Sequence, residues 1–383
     1  MLFLGQAANY DRKAIWRHFS AFGTKSDYDN LRVALASHYQ SEFSRVFLYH
    51  NGRSAISAGL KSILSSLDSQ SGIKKQKPEV IINSFTCYAV VAAVRAAGCK
   101  PVYVDIDTDT LHFSAKNLEK TLKNHPNTVA VIIQNSLGLP VDIVKIQSVI
   151  QKYQVALIED LAHCAGTSYP DRQEAGTIGD ITVLSFGKGK SFDTISGGAL
   201  IFRSKKLHRP RTIPVYRPKI ADSMRDRWYP VFGSLIRALY NFGLGRKFTS
   251  LLIKLHFIQR SADAELKLST RLTYWQAKLA LLQLKNLPKN RPPLRQFYLV
   301  KQRDAVLNRL ERQGFVFNDT WYDTPVAPER YFQQIDFPSS DCPNVVFVAK
   351  HIINFPSHYP KSLLKPALEI IKPYLIKDKN ESK

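Results

Sequence analysis

A chain of 383 residues with 44% hydrophobic and 22% charged residues carries enough apolar material for two sizeable cores, which excludes a disordered or fibrous protein. Its four scattered cysteines (Cys87, Cys99, Cys164, Cys342) form no C-x-x-C pair, so they read as packing thiols of a reducing, cytoplasmic protein rather than as a disulfide framework or a zinc site. The 54 Lys+Arg against 31 Asp+Glu give a formal charge of +23, which attracts anions of every kind; with no helix-turn-helix, zinc-finger or RNP-like pattern beside it, nucleic-acid binding is a minor reading.

The first residues lack the apolar core and cleavage site of a signal peptide, and no uncharged run of about 18 apolar residues offers a membrane span. Residues 1–45 read as an N-terminal arm with a helix around Asp27 to Ser41. A short strand, Val46 to Tyr49, then leads through His50, Asn51, Gly52, Arg53 and Ser54 into a helix from Ala55 to about Leu67. Glycine and serine at a helix start offer backbone N–H groups and a hydroxyl to an anion, so Gly52, Arg53 and Ser54 form a candidate phosphate cradle, with a simple N-cap as the bland alternative. Glu79 to Asn83 is the next strand, followed by Ser84, Phe85, Thr86, Cys87, Tyr88 and a helix from Ala89 to Ala97. After the strand Lys100 to Asp105, the acids Asp105, Asp107 and Asp109 lack the glycine and distal glutamate of a calcium loop and read as the turn that opens the next helix, Ser114 to Leu122.

Val129 to Gln134 is an apolar strand and Asp142 to Tyr153 a helix. The run Val155 to Ile158 ends in Glu159 and Asp160, and a second run, Ile181 to Phe186, gives way to a loop of glycine and lysine. Strands alternating with helices from about 46 to 202 predict a mainly parallel sheet covered on both faces. Asp160, Ser185, Lys188 and Lys190 would then face one crevice beyond the carboxyl ends of the strands. An aspartate at one strand end and a lysine just after another suit pyridoxal 5'-phosphate: the carboxylate keeps the pyridine nitrogen protonated, and the amine carries the cofactor as a Schiff base.

The segment is similar to the sugar aminotransferases of the DegT/DnrJ/StrS type, within the fold type I pyridoxal phosphate enzymes. Their E-D-x-A-[QH]-x-x-G pattern stands here as Glu159, Asp160, Leu161, Ala162, His163, Cys164, Ala165, Gly166. Their G-x-x-G-D, F-S-F-x-x-x-K and G-G elements stand as Gly176, Gly179, Asp180, then Leu184, Ser185, Phe186, Lys190 and Gly197, Gly198. The resemblance implies that Asp160 partners the pyridine nitrogen, that His163 contacts the ring hydroxyl, and that Ser185 joins Gly52, Arg53 and Ser54 on the phosphate. It implies Lys190 as the covalent anchor, with Lys188, two residues away, as the fallback. Cys87 stands where the family has the ring that stacks on the pyridine, which leaves Tyr88 or Phe85 for that part.

From Arg227 to Arg260 there is no acidic residue, while aromatic and aliphatic side chains alternate with basic ones. One or two amphipathic helices are expected, either buried in a subunit interface or lying on an acidic membrane. Leu268 to Leu284 matches the family's N-x-R-[LM]-x-x-x-Q-A pattern at Arg271, Leu272, Gln276 and Ala277, with Ser269 in the asparagine position, and its helix ending in Q-L at Gln283. That asparagine serves the cofactor phosphate of the other subunit, so a homodimer with shared sites is implied. From Leu294 a reduced small domain is expected: a helix Asp304 to Gln313, a strand Phe315 to Phe317, a loop with Trp321 and Tyr322, the element Ile352 to His358, a terminal helix and a frayed tail.

The expected fold is α/β and fold type I aminotransferase-like: a mainly parallel sheet with helices on both faces, plus a smaller C-terminal α+β domain. The expected organisation is an arm and helix (1–45), a cofactor domain (46–205), a basic aromatic-rich insertion (206–262) and a long helix with the small domain (263–383). The resemblance implies transamination from glutamate or glutamine to a nucleotide-linked keto sugar by a cytoplasmic homodimer, with a peripheral contact at the inner face of a membrane through 227–260 as an open part of the reading. A different pyridoxal phosphate activity and a non-catalytic sensor or scaffold are the alternatives.

Overall fold

The computed structural model describes residues 1–4, 10–71, 77–259, 265–317 and 321–376. Arg260 and the charged tail beyond 376 lie outside the described residues. Seven strands form the central sheet: β1 (Val46–Tyr49), β2 (Glu79–Asn83), β3 (Lys100–Val104), β4 (Thr128–Gln134), β5 (Ala156–Asp160), β6 (Ile181–Ser185) and β7 (Gly198–Phe202), in the spatial order β1-β7-β6-β5-β4-β2-β3. All neighbouring pairs from β6 to β3 are parallel; β7 alone runs against its neighbours β1 and β6.

Strands buried on both faces alternate their side chains between two cores. Val131 and Ile133 of β4 face a core covered by the helices Lys25–His38, Ile143–Tyr153 and Tyr274–Lys285, with Leu35, Ile146 and Leu281 packed against them. Ala130 and Ile132 face the other, where Leu60 of the helix Gly52–Ser71 and Val91 of the helix Tyr88–Ala96 lie. Helix starts are set by short-range chemistry. Thr24 and Asp27 exchange side-chain and backbone hydrogen bonds ahead of Lys25–His38, and Thr273 and Gln276 do the same ahead of Tyr274–Lys285.

The C-terminal part pairs Arg295–Leu299 antiparallel with Ile352–Pro356 and covers them with the helices Arg303–Arg312 and Lys361–Ile371 around Val300, Leu310, Phe355 and Leu364. The N-terminus joins this part: Leu2–Phe3 runs parallel to Phe315–Val316, and Leu4 is fully buried in the same core. Backbone pairing and a helix cap help tie it to the sheet-bearing part. Thr86–Cys87 pairs with Val326–Ala327, and Asp105 accepts the Asn344 and Val345 N–H groups at the start of the helix Pro343–His351, both at 3.0 Å. Asp105, the first of the acids behind β3, thus serves a helix N-terminus, where a carboxylate is favoured. All four cysteines are free thiols.

Candidate active site

Glu159 and Asp160 are adjacent at the end of β5 and point to opposite sides of the sheet, as consecutive strand residues must. Glu159, fully buried, accepts the Gly176 N–H at 2.7 Å, the Ile178 N–H at 2.8 Å, the Gly179 N–H at 2.5 Å and the Tyr169 hydroxyl at 2.8 Å. The G-x-x-G-D turn therefore exists to wrap a carboxylate. A Cβ on Gly176, at φ +97°, would meet Leu161 at 2.5 Å and Tyr39 at 2.7 Å, so no other residue fits that turn.

Asp160 faces the crevice. It is 4% exposed, accepts the Ala162 N–H at 3.0 Å, and among the described residues forms no ion pair. Burial pushes its carboxyl up to about 6, with the Ala162 N–H and the Lys190 charge working the other way. A buried acid with one hydrogen-bond donor and, among the described residues, no ion-pair partner within 4 Å fits a cationic ligand atom.

Three residues on, His163 lies in the turn after β5. Its Nδ1 accepts the backbone N–H of Leu137 at 3.2 Å, and its Nε2 lies 2.8 Å from Lys190 Nζ. Burial, with the Lys190 and Arg295 charges behind it, holds the imidazole well below its ordinary pKa, so the ring is neutral. With Nδ1 accepting, the ring proton is assigned to Nε2, which donates to Lys190 Nζ only when that amine is neutral; against the charged amine the contact sets donor against donor.

Lys190 sits on the loop between β6 and β7, and this loop is pinned from several sides. Asp193 Oδ2 accepts the Gly189 N–H and the Tyr10 hydroxyl, both at 2.8 Å, and Oδ1 accepts the Ile195 N–H at 3.0 Å. Gln283 accepts the Asp193 N–H and donates to the Asp193 carbonyl, both at 2.8 Å; Gln276 donates to the carbonyls of Thr194 (3.2 Å) and Ser196 (3.0 Å). Gln276 and Gln283 are seven apart, two turns of one helix, so both amides reach the same loop. Lys188 points elsewhere, its Nζ 3.9 Å from the centre of the Tyr229 ring.

The cradle lies at the start of the helix Gly52–Ser71. A helix leaves its first N–H groups directed out of its end. Asn51 Oδ1 takes the Ser54 N–H at 2.9 Å. Gly52 stands against Ser185: a Cβ there would lie 3.3 Å from the Ser185 hydroxyl oxygen, and a Cβ on Gly198 would lie 2.7 Å from the Gly52 nitrogen. Two close backbone approaches thus keep open a concavity bordered by N–H groups and one hydroxyl, the shape of a phosphate site.

The other residues expected in the cradle are engaged by a neighbouring loop. The Ser54 hydroxyl, fully buried, accepts the Lys267 N–H at 2.8 Å, and the Arg53 guanidinium donates to the Glu265 carbonyl. Ser269, on the same loop, accepts the Val215 and Tyr216 N–H groups with its carbonyl at 3.0 and 2.9 Å. The next residue, Thr270, accepts the His50 N–H of its own chain at 3.0 Å. His50, which no pattern in the sequence marked as functional, is buried beside this turn with Nδ1 unpartnered among the described residues. Burial lowers it to about 4.

The aromatic residues are arranged differently from expectation. Tyr88 opens a helix and stacks on Tyr331, centroids 4.4 Å apart at 9°. Phe85 is fully buried against Tyr322 at 5.2 Å. The ring beside the lysine is Trp321, stacked on His163 at 4.7 Å and 18°, with Lys190 Nζ 4.8 Å from its centre. Asn354 donates to the Trp321 carbonyl and accepts from Arg295, so the small domain's I-x-N element fixes the indole. Trp321 is remote from residues 159–190 in sequence, and only its presence in an otherwise polar loop marked it.

A buried acid, a lysine and a helix-start concavity around one crevice are the parts pyridoxal 5'-phosphate needs: Asp160 for its ring nitrogen, Lys190 for its aldehyde carbon, and the Gly52 turn with Ser185 for its phosphate. Among the described residues no cluster of His, Cys, Asp or Glu could hold a metal ion.

The sheet with one reversed strand, carrying its lysine on the loop before that strand, defines a fold type I aminotransferase. The chain belongs to the DegT/DnrJ/EryC1/StrS aminotransferase family, whose model matches residues 34–365. It is 32% identical over 165 residues to dTDP-4-amino-4,6-dideoxy-D-glucose transaminase of Shigella dysenteriae, covering 42% of this chain and 40% of that protein. It is 32% identical over 130 residues to GDP-perosamine synthase of Escherichia coli O157:H7, covering 34% of this chain and 35% of the relative. The matched parts are thus under half of those relatives' length. PseC of Helicobacter pylori, an aminotransferase involved in the biosynthesis of pseudoaminic acid, superposes with a TM-score of 0.64 at 16% identity, covering 97% of this chain and 99% of that one. The PLP-form of Spr1654 from Streptococcus pneumoniae gives 0.65 at 17%, covering 96% and 97%. At these identities the likeness is one of fold.

Proposed function

We propose that the chain is a pyridoxal 5'-phosphate-dependent aminotransferase that moves an amino group from glutamate or glutamine to a keto sugar carried by a nucleotide diphosphate. The observation that carries the reading is the convergence of Asp160, His163 and Lys190 at the ends of β5 and β6. The names of the two curated relatives, both concerned with nucleotide-linked sugars, support the acceptor class. Pyridoxal 5'-phosphate, when bound, supplies the carbonyl that takes the amino group and a ring that accepts the electron pair left at the donor's alpha carbon. Lys190 holds the cofactor and, once displaced, carries the proton from the donor's alpha carbon. Asp160 accepts the hydrogen bond of the ring nitrogen, and its negative charge keeps that nitrogen protonated. Neutral His163 sets Nε2–H beside Lys190, whose amine accepts it in the neutral form, without adding a competing cation. The Gly52 turn and Ser185 bind the phosphate; Ser54 and Arg53 join it by sharing or giving up their bonds to Lys267 and Glu265, and Ser269 serves the phosphate of a second subunit in a homodimer. The same reading places the enzyme in the cytoplasm and gives residues 227–260 the part of a peripheral membrane contact.

The test is the visible absorption of the purified protein with added pyridoxal 5'-phosphate, repeated for Lys190→Ala and Lys188→Ala. A cofactor band lost only in Lys190→Ala and bleached by glutamate or glutamine is the expected result. No band in the unaltered protein would reject the reading.

A further inference from the structure

We propose that the outer face of the two helices Ile220–Tyr240 and Gly245–Lys254 docks on an anionic phospholipid bilayer. The inference deepens the peripheral-contact reading and rests on it, independently of the transamination chemistry.

The inner face of the first helix is fully used. Asp226 accepts the Ser196 hydroxyl at 2.5 Å, Ser234 donates to the Tyr10 carbonyl at 3.0 Å, and Pro230 and Gly233 are buried. The outer face is different. Ile220 (83% exposed), Met224 (47%), Trp228 (42%) and Leu235 (46%), followed by Phe242 (76%), recur at spacings of four, four, seven and seven. That spacing puts them on one stripe, on the solvent side of a helix whose opposite side is buried. Past the Gly243 turn the pattern repeats with Leu244, Leu251 and Leu255, each about half exposed. The N-terminal helix Arg12–Ser20 extends the patch, since Phe19 packs on Trp228 at 4.9 Å and Phe22, 75% exposed, lies against Arg227 at 5.1 Å. Soluble surfaces rarely leave an apolar area of this extent contiguous.

Charge decides between occupants. Lys219, Lys247 and Lys254 are exposed around the stripes, and the sequence holds no Asp or Glu from 227 to 260. A second copy of the chain would bring two basic rims together in a protein already at +23. An anionic bilayer neutralises the lysines and takes the apolar side chains to the depth of the headgroup boundary. Among the described residues no helix is long and apolar enough to cross a membrane, so the contact lies in the interface plane.

The experiment is flotation of the full-length, cofactor-loaded protein with vesicles of phosphatidylcholine alone or mixed with phosphatidylglycerol. Co-flotation with the anionic vesicles only, weakened by salt, is expected. Trp228→Ser and Leu235→Ser should each lower vesicle affinity about tenfold, and Lys247→Gln and Lys254→Gln about fivefold each. The cofactor band is recorded on the same samples; its retention separates loss of docking from loss of fold or of the active site. Indifference to both vesicle types, or equal binding to both, overturns the proposal. Conversion of a dimer to a monomer by Trp228→Ser without vesicle binding also overturns it, and assigns the face to a second copy of the chain.

Discussion

Asp160→Asn should stabilise the cofactor-free protein while damaging its site. The carboxyl rises from 3.8 to about 6 because it is buried at the end of β5 with a single N–H donor. Since the folded-state pKa lies above the unfolded one, the fold holds a proton that the unfolded chain has released. Stability therefore falls as pH rises from 3.8 through about 6, and above that range the full cost remains. A shift of about two units corresponds to about 3 kcal/mol. Asparagine keeps the shape, still accepts the Ala162 N–H and carries no charge. Urea unfolding of both cofactor-free proteins across a pH series would then show equal stability at low pH and an advantage of about 3 kcal/mol for the variant at neutrality. Taking the difference cancels Asp193 and Asp226, whose carboxyls burial also raises. Added cofactor should close the gap, because a protonated ring nitrogen repays the buried carboxylate of the parent and has nothing to pair with in the variant. A stability difference that does not change with pH would refute the assignment of Asp160 as an acid waiting for a cation.

His163→Phe keeps the stack on Trp321 but loses both ring-nitrogen contacts and leaves the Leu137 N–H unpaired; cofactor affinity, read by absorbance titration, should fall about five- to tenfold. Gly198→Ala puts a methyl group 2.7 Å from the Gly52 nitrogen, a backbone atom that cannot swing away; thermal melting should show a loss of about 1–3 kcal/mol, with weaker phosphate-dependent cofactor binding. Gln283→Leu removes both bonds to the Asp193 backbone and should cost about 2 kcal/mol in urea unfolding, with cofactor binding impaired although no cofactor contact is touched. His112 is buried with Nε2 donating to the Leu139 carbonyl at 2.7 Å, and burial lowers it to about 4. Because its folded pKa lies below the usual 6.5, stability is lost as pH falls through 6.5 towards 4, by about 3 kcal/mol, and His112→Gln should flatten that acid limb.

The sheet was legible because its strands are short, doubly buried apolar runs bounded by turn residues, and each polar strand end marks the rim of one crevice. Strand ends brought Asp160, Ser185, Lys188 and Lys190 to one rim, but they did not choose between the lysines: Lys190 was preferred on the family spacing alone, and Lys188, which follows the same strand, turns to Tyr229. Helix limits were less legible. Gly52–Ser71 begins three residues before the expected Ala55 because Asn51, not the residues around Ser54, supplies the capping oxygen. Tyr88 shows a second limit. With Cys87 in the family's ring position, the resemblance left Tyr88 or Phe85 for the ring over the cofactor; Tyr331, more than two hundred residues away, covers the face of Tyr88, and no local pattern encodes that pairing. The roles of Ser54 and Ser269 turn on the Glu265–Thr270 loop for the same reason, since a hydroxyl at a helix start is equally good for an anion or for a passing backbone N–H.

The residues that position Lys190 are more widely spread than those that would touch the cofactor. Tyr10 from the N-terminal arm, Asp193 from the loop, Asp226 from the basic helix, and Gln276 and Gln283 from the long helix each fix part of the 187–196 segment. A lysine amine on a four-carbon stem is mobile, so its approach to His163 has to come from the backbone that carries it rather than from the side chain itself. The helix whose outer stripe faces solvent is thus the same helix whose inner face holds the lysine loop at Ser196 and, through Tyr229, stacks on Lys188. Anything that seats on the stripe acts on an element in direct contact with the loop that carries Lys188 and Lys190. Vesicle binding and cofactor absorption should therefore be measured on the same sample, because a shift of the cofactor band on addition of anionic vesicles would reveal coupling between the two faces of one helix.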